Sequence, residues 1–242
     1  MSKKQSISTN NPSEFDISRN RYQTEFFNFI EEKIELFPAY LSVSIEFQNL
    51  PDNIEGENKL TEQFHRFLTS QERNYDYKMV SKEDFYNFII ENQTSGEGHR
   101  SYDISIILGK LTHNAGKILV IEAKRLPTPG SKRKKEYLFG NLGAVERFRK
   151  EVHGQDVKSN KAIILGYIQS ENSSFWLEKV NAWIEEESKE IKNRESTISW
   201  TERDKLKVDN SFSKQKVKKL KSIHNRIKLP KIELIHYWIE IN

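Results

Sequence analysis

The sequence predicts an α/β fold in which helices flank a central mixed β-sheet. Runs rich in β-branched residues at 102–108, 117–124 and 162–168 are typical of buried strands. Segments at 57–68 and 137–152 come before and between those runs and carry apolar side chains at helical spacing. Strands that alternate with amphipathic helices pack into a sheet that the helices cover. A chain of 242 residues is long enough to bury such a core in one domain.

The chain before residue 57 predicts one helix and one strand. Residues 21–37 indicate a helix because large apolar side chains fall on one side of it and Pro38 follows. Those side chains are Phe26, Phe29, Ile30 and Ile34. Residues 40–47 indicate a strand. After the helix at 57–68, a further strand is expected at 85–93.

Three ionisable residues lie within the strands at 102–108 and 117–124. Asp103 stands at the start of the first strand, and Glu122 and Lys124 stand near the end of the second. The segment between the strands has the composition of a turn, so the two strands predict a hairpin. Because side chains alternate along a strand, Glu122 and Lys124 share a face, and Asp103 can face them across the ladder. An unpaired charge inside a sheet costs several kcal/mol, so this pattern indicates a bound metal ion.

Two carboxylates beside an ammonium group suit the hydrolysis of a phosphodiester. Oxygen ligands suit Mg²⁺, for which Mn²⁺ can substitute, and Mg²⁺ binds through one or two carboxylates plus substrate phosphate. The metal lowers the pKa of a bound water and offsets charge on the transferring phosphoryl group. Lys124 would orient that water or stabilise the developing charge. The alternative is a surface hairpin with a Glu122–Lys124 ion pair, but residues 118–121 are apolar on both faces, as in a central strand.

Asp103, an eighteen-residue spacer and Glu122-Ala123-Lys124 together resemble the signature of the PD-(D/E)XK nucleases. The resemblance implies a restriction-endonuclease-like fold, with a helix before a three-strand meander and a helix and a core strand after it. It also implies that Asp103 and Glu122 bind Mg²⁺, that Ala123 lends its carbonyl to the metal, and that Lys124 serves the attacking water. Tyr102 departs from the family pattern, because many members have Pro there.

The helix at 57–68 precedes the predicted meander, where family members often supply a further carboxylate to the metal. Its apolar stripe consists of Leu60, Phe64, Phe67 and Leu68. Glu57 lies three residues before Leu60 and seven before Phe64, so it shares the inward face, whereas Glu62 falls off the stripe. We therefore favour Glu57 over Glu62 as the helix carboxylate. The alternative for Glu57 is an acidic residue that stabilises the first turn of a helix.

Two residues near the end of the segment at 137–152 are further candidates. Arg147 and His153 lie in an Arg-Phe pair and a His-Gly pair that are similar to those of bacterial restriction-like nucleases. This similarity implies that both contact substrate phosphate. The alternative for His153 is a favourable interaction with the dipole at the end of a helix.

The last third of the chain predicts a helix at 175–191, a short strand at 197–200 and a final strand at 232–241. His236 shares a face of the final strand with apolar side chains. We therefore expect His236 to be a packed residue and not a ligand.

Positive charge is concentrated in two segments. Residues 211–231 hold eight of the 39 Lys and Arg residues and no Asp or Glu, which leaves 31 basic and 35 acidic residues elsewhere. This concentration predicts contact with a phosphate backbone, and the alternative is an ordinary solvated helix at 214–221. Residues 132–135 form a second basic segment. The candidate nucleic-acid contacts in these segments are Lys132, Arg133, Lys218, Lys219 and Arg226.

Composition predicts one nuclease-sized unit in the cytoplasm. The absence of Cys excludes disulfides and thiolate metal sites. No apolar run approaches the length that spans a bilayer, and the first residues lack a signal-peptide core, so no membrane partner is expected. The polar N-terminus predicts a disordered tail before a single nuclease domain, 17–242. The predicted segments are the tail (1–16), an N-terminal extension (17–56), a catalytic core (57–170) and a C-terminal elaboration (171–242).

These features together predict a Mg²⁺-dependent nuclease that hydrolyses phosphodiester bonds. DNA is favoured over RNA because the resembled family most often cuts DNA, and a role in restriction or anti-phage defence follows by analogy. Two alternatives remain open: a non-cleaving nucleic-acid-binding subunit of a larger complex, and a structural or interaction protein that uses residues 211–231. A partner subunit, such as a separate ATPase or sensor, and a homodimer also remain open.

Overall fold

The structure is a computed structural model of the 242-residue chain. It describes residues 14–48, 50–51, 54–76, 86–92, 103–110, 114–128, 135–153, 160–189, 198–212 and 214–242. Within these ranges, helices pack on both faces of a seven-stranded mixed sheet. The predicted α/β class, with a central mixed sheet flanked by helices, is therefore confirmed.

The sheet contains an antiparallel part and a parallel part. Its strands are β1 (Tyr86–Asn92), β2 (Ile104–Lys110), β3 (Asn114–Leu126), β4 (Lys161–Ile168), β5 (Lys207–Val208), β6 (Val217–His224) and β7 (Ile232–Glu240). Their order across the sheet is β1-β2-β3-β4-β7-β6-β5. The first three strands form an antiparallel meander, and β4 runs parallel to both β3 and β7. Strand β6 runs antiparallel to β7 and to β5.

Six α-helices accompany the sheet in the described part of the chain. They are α1 (Glu14–Lys33), α2 (Phe37–Ser42), α3 (Ile45–Gln48), α4 (Ile54–Glu72), α5 (Ala144–Arg149) and α6 (Ser173–Lys189). Short 3₁₀ turns lie at Ile34–Leu36 and Glu202–Asp204. No helix of the described ranges has the length and apolar character needed to cross a membrane.

The central strand β3 contributes to a hydrophobic core on each face of the sheet. Leu119 and Ile121 pack in the core that also holds side chains of α1, α2 and α4. Val120 and Leu126 pack in the second core, with side chains of α5 and α6. This alternation follows from the two-residue period of a strand, and burial on both faces is what the apolar run at 118–121 predicts.

The N-terminal prediction is correct for the helix and wrong for the strand. The apolar side chains of α1 and its 3₁₀ extension are fully buried, as expected: they are Phe26, Phe29, Ile30 and Ile34. Residues 40–47, however, lie mostly in α2 and α3 and form no strand. Alternating apolar residues suggested a strand, but Val43 and Ile45 are 79% and 76% exposed, so no sheet face covers them. Pro38 lies in the first turn of α2, where its fixed φ favours a helix.

Three other segments depart from a conformation considered in the sequence analysis. The basic residues 214–221, for which a solvated helix was the alternative, lie largely in strand β6, and Val217 and Leu220 are buried there. The predicted helix at 137–152 shortens to α5, because turns occupy residues 135–142. Gly140 has φ +91° in these turns, a conformation that favours glycine. Residues 198–200 are not in a strand, and residue 197 lies outside the described residues.

The predicted tail and domain boundaries are only partly within the described chain. Helix α1 begins at Glu14, so residues 14–16 are helical although they belong to the predicted tail. Residues 1–13 lie outside the described residues. The division into an extension, a core and an elaboration stays a prediction.

His236 is a packed residue, as expected. It is fully buried in β7, and its two ring nitrogens lie 2.7 Å from the Tyr137 hydroxyl and 2.8 Å from Ser222 Oγ. The Tyr137 hydroxyl also accepts a hydrogen bond from Trp238 Nε1 at 2.7 Å. Burial, together with the nearby His224, holds the pKa of His236 well below its ordinary value, so the ring is neutral.

Candidate active site

Four ionisable residues from three elements meet where β2 begins and β3 ends. We call them the carboxylate–lysine cluster: Glu57 of α4, Asp103 just before β2, and Glu122 and Lys124 of β3. Lys124 Nζ donates a hydrogen bond to Glu57 Oε1 at 2.9 Å and lies 3.6 Å from Glu122 Oε1. Asp103 Oδ2 accepts a hydrogen bond from the Ala123 amide at 2.6 Å. Residues far apart in the sequence thus come together in one partly enclosed place.

The strand register explains this meeting. Ile104 pairs with Ile121 in the antiparallel β2–β3 ladder, so Asp103 stands beside Glu122. Glu122 and Lys124 have the same strand parity as Val120, on the face that α5 and α6 cover, whereas Ala123 packs in the opposite core. The first turn of α4 then brings a third carboxylate, that of Glu57, to Lys124.

Glu122 is held by side chains of α5 and of the residues that follow it. It is 1% exposed, and its Oε1 accepts a hydrogen bond from Arg147 at 3.0 Å, while His153 Nδ1 lies 3.1 Å from its Oε2. Burial alone would raise the pKa of Glu122, but Lys124, His153 and Arg147 outweigh it and lower that pKa to about 2. The Glu122 carboxylate is therefore ionised at neutral pH.

The pKa values of Asp103 and Lys124 are shifted upward, in contrast to that of Glu122. Burial, followed by the negative charge of Glu122, raises the pKa of Asp103 to about 7, although Lys124 and the Ala123 amide oppose this. Burial would lower the pKa of Lys124, but Glu57, Glu122 and Asp103 together raise it above its ordinary value. Lys124 is thus a charged donor in this arrangement and not a base.

Glu57 is fixed by contacts that the sequence did not reveal. Its Oε2 accepts a hydrogen bond from the backbone amide of Arg125 at 3.2 Å. The Arg125 guanidinium donates to the Pro51 carbonyl at 3.0 Å and to the Gln169 side chain. A Cβ added at Gly56 would lie 2.0 Å from the Pro51 carbonyl oxygen, so the chain before α4 packs tightly here. The one signal for Arg125 was a further charge immediately after Lys124 in an otherwise buried strand.

The two acidic candidates of α4 have different surroundings. Glu57 is buried in the carboxylate–lysine cluster. Glu62 forms an ion pair with Arg66 at 2.6 Å on the solvent side of the helix. The structure therefore brings Glu57, and not Glu62, to Asp103 and Glu122, as the apolar stripe of the helix predicted.

The donor set has the chemistry that Mg²⁺ prefers, although its present geometry is not that of a metal site. Within the described ranges, no set of three or more His, Asp or Glu side chains is arranged so that it could hold a metal ion. Asp103 and Glu122 nevertheless bring hard oxygen donors together. Burial is the largest cause of the raised pKa of Asp103, and repulsion from the negative charge of Glu122 is the next. A divalent cation between them would relieve that repulsion. Glu122 would then exchange a contact with Arg147 or His153 for the metal.

The predicted nucleic-acid contacts are dispersed. Arg147, whose side chain is 15% exposed, and His153, which is fully buried, both contact Glu122. Lys219 is buried between Glu31 and Asp209, with Nζ–O distances of 2.5 and 3.0 Å.

The other candidate nucleic-acid contacts either have intramolecular contacts or lie outside the described residues. Arg226 is buried and donates to the Pro230 carbonyl. Lys218 is partly exposed and donates to Ser174 Oγ at 3.1 Å. Lys132 and Arg133 lie outside the described residues. The roles of all these residues in nucleic-acid binding stay predictions, and the basic stretch 211–231 does not form one uniformly exposed surface.

No protein-family model, curated protein or solved structure matches the chain. The resemblance to the PD-(D/E)XK nucleases therefore rests on the site residues and on the order of the elements, and membership of that family stays a prediction.

Proposed function

We propose that this protein is a Mg²⁺-dependent nuclease that hydrolyses phosphodiester bonds in DNA. The observation that carries the proposal is the meeting of Glu57, Asp103, Glu122 and Lys124 at the end of β3. Carboxylates that converge on a buried, charged lysine are costly for a fold unless they are paired or serve a reaction. Phosphodiester hydrolysis uses both oxygen ligands and a positive charge near the phosphate.

The order of the elements supports a restriction-endonuclease-like fold for this domain. Helix α4 precedes the β1–β2–β3 meander, and α5 connects β3 to the parallel strand β4. This is the order that the resemblance to the PD-(D/E)XK nucleases implies. A role in defence against foreign DNA, alone or with a partner subunit, would follow by analogy with that family.

Asp103 and Glu122 would hold the metal ion, with the Ala123 carbonyl and Glu57 as the further ligands that the resemblance implies. Bound Mg²⁺ supplies a water of lowered pKa and offsets negative charge on the phosphoryl group. The contacts of Ala123 with Asp103 and of Arg125 with Glu57 hold these carboxylates in place.

Two cationic side chains would act on the substrate. Lys124, fixed by Glu57 at 2.9 Å, would orient the attacking water or donate to the developing charge on phosphate oxygen. Arg147 is partly exposed, and its planar guanidinium suits a phosphate that approaches from solvent. Both positions lie beside Glu122, where the metal would bind.

One observation favours a second function, that of a non-cleaving nucleic-acid-binding subunit. Lys124 and Arg147 already pair with the Glu122 carboxylate, and His153 Nδ1 lies 3.1 Å from it. A site that has lost its metal would keep such internal pairing. Cleavage and binding must therefore be measured separately.

A cleavage assay with matched variants tests the proposal. The full chain is incubated with supercoiled plasmid, single-stranded DNA or RNA, in Mg²⁺, Mn²⁺ or excess EDTA. We expect metal-dependent cleavage of DNA that falls by about a hundredfold or more in Asp103→Asn, which removes a proposed metal ligand, and in Lys124→Met, which removes the cation proposed to act on the reacting phosphate. Glu62→Gln is the control, because it removes an acidic side chain from the solvent side of the same helix.

The outcomes separate the two functions. Wild-type chain that binds DNA but leaves it intact under every metal condition would support the non-cleaving subunit. Wild-type chain that neither binds nor cleaves nucleic acid would refute both functions. Cleavage that survives in Asp103→Asn and Lys124→Met would assign the activity to another site or to a contaminant.

A further inference from the structure

A concave site lies apart from the carboxylate–lysine cluster. It is a pocket of about 410 Å³ between α1, the residues just after α4, and the connection from β5 to β6. We call it the α1 pocket. The lining residues on which its chemistry depends are Glu25, Glu31, Glu32, Tyr75, Phe212 and Lys214, and the Lys214 ammonium group is 2.8 Å from Glu35. Pockets of roughly 300–1,000 Å³ are typical of small-molecule sites.

Glu25 differs from the other two acidic residues that line the α1 pocket. It is 1% exposed, and its Oε1 is buried without a hydrogen-bond partner. Glu31, in contrast, is 2.5 Å from Lys219 Nζ and accepts a hydrogen bond from Tyr237, and Glu32 is 2.8 Å from Lys33 Nζ. A buried carboxylate oxygen without a donor is costly, and a cation bound in the pocket would remove that cost.

The aromatic walls of the α1 pocket already attract ammonium groups. Lys33 Nζ lies 5.5 Å from the centre of the Tyr75 ring, and Lys219 Nζ lies 6.0 Å from the centre of the Phe212 ring. Cations within about 6 Å of a ring centre are attracted by its quadrupole. Burial, followed by the nearby carboxylates of Glu32 and Glu25, raises the pKa of Tyr75 to about 12.

We propose that the α1 pocket binds a small organic cation, an ammonium or guanidinium group on a short alkyl chain. Its charged head pairs with Glu25, and its chain lies against Tyr75 and Phe212. A divalent metal fits less well, because the acidic residues of the pocket do not form a metal-holding group among the described residues. This site is independent of the proposed nuclease reaction.

Titration of the full-length chain with agmatine, which carries a guanidinium and an ammonium on a four-carbon chain, tests the proposal. Putrescine tests the ammonium head alone, and butyrate, an anion of similar length, is the ligand control. We expect saturable binding of agmatine by calorimetry, and about a tenfold or greater loss of affinity in Glu25→Gln, which removes the charge with little change of shape. Glu178→Gln is the matched control, because Glu178 is an exposed acidic residue on α6, against the other face of the sheet.

A second variant and a stability measurement keep the test decisive. Glu25→Gln is expected to be at least as stable as the wild type without ligand, because it removes a buried charge. Phe212→Leu keeps an apolar side chain but removes the ring, and it is expected to weaken agmatine binding as well. The proposal fails if the wild type shows no saturable binding at millimolar agmatine, or if folded Glu25→Gln binds as tightly as the wild type. It also fails if Glu178→Gln loses as much affinity as Glu25→Gln, or if butyrate binds equally well. If Glu25→Gln does not fold, unchanged binding by Phe212→Leu refutes the proposed site.

Discussion

Removal of the Lys124 charge is expected to destabilise the fold strongly, and removal of its partner is expected to restore part of the loss. Lys124 is buried, donates to Glu57 at 2.9 Å and lies 3.6 Å from Glu122. In Lys124→Met these carboxylates lose their nearest shared cation, while the methionine fills a similar volume. In the double variant Glu57→Gln/Lys124→Met, the carboxylate that depended most on Lys124 is neutral as well.

The expected size of the effect follows from burial. Breaking a buried ion pair by removing one partner costs about 3–5 kcal/mol, because an uncompensated charge remains buried. For a domain of this length, a loss of about 3 kcal/mol lowers the melting temperature by roughly 6–12 °C. Residues in direct contact couple by about 0.5–3 kcal/mol in a double-mutant cycle, and a buried ion pair should lie in the upper part of this range. Glu62 and Arg66 form the comparison pair on the same helix, and this exposed pair should couple by only about 0.3–0.5 kcal/mol.

Urea unfolding of the wild type, the two single variants and the double variant gives the coupling free energy for each pair. We expect the coupling of Glu57 with Lys124 to exceed that of Glu62 with Arg66 severalfold. The reasoning is refuted if the two coupling energies are equal, or if Lys124→Met unfolds at the same urea concentration as the wild type. Either result would mean that Lys124 is not held inside the cluster in solution.

Four further perturbations test the site and the core of the molecule. Arg125→Lys loses the guanidinium contact with the Pro51 carbonyl, and Gly56→Ala places a Cβ 2.0 Å from the same carbonyl oxygen. Both variants should therefore displace α4 and lower the cleavage rate by about tenfold or more. Cleavage at the wild-type rate would count against a positioning role for these residues. His236 is neutral in the folded state, so the unfolded state binds a proton first as the pH falls. The free energy of unfolding therefore decreases by up to about 1.4 kcal/mol per pH unit below about pH 6.5. Urea unfolding of His236→Gln at about pH 7 and 5 should show a smaller decrease than the wild type, and an equal decrease would contradict this. Mn²⁺ should raise the melting temperature of the wild type more than that of Asp103→Asn, and equal shifts in calorimetry would argue against metal binding at Asp103.

The hairpin of β2 and β3 could be predicted because its signal is local. Each strand has a continuous β-branched run, and the charges in it are few enough to stand out. The inward direction of Glu57 was also predictable, because it depends only on the spacing from Leu60 and Phe64 along one helix. These features need no knowledge of which distant segment packs against them.

Features that depend on distant partners could not be predicted. The sequence predicts that Lys219 contacts phosphate, but in the structure its ammonium group forms ion pairs with Glu31 of α1 and with Asp209. Arg125 gave no sign of its contact with Pro51, 74 residues earlier in the chain. Alternating apolar residues at 41–45 suggested a strand because a local pattern cannot report whether a neighbouring strand is available to pair with it.

The pairing of Glu122 with Arg147, His153 and Lys124 has a practical consequence. The chain supplies its own counterions to the carboxylate at the centre of the site, so folding does not have to wait for a metal from solution. A chelator should then abolish the proposed cleavage activity without unfolding the protein, and adding the metal ion back should restore that activity without refolding. If the proposed Mg²⁺-dependent reaction is correct, the supply of metal would control the activity of the protein without changing its fold.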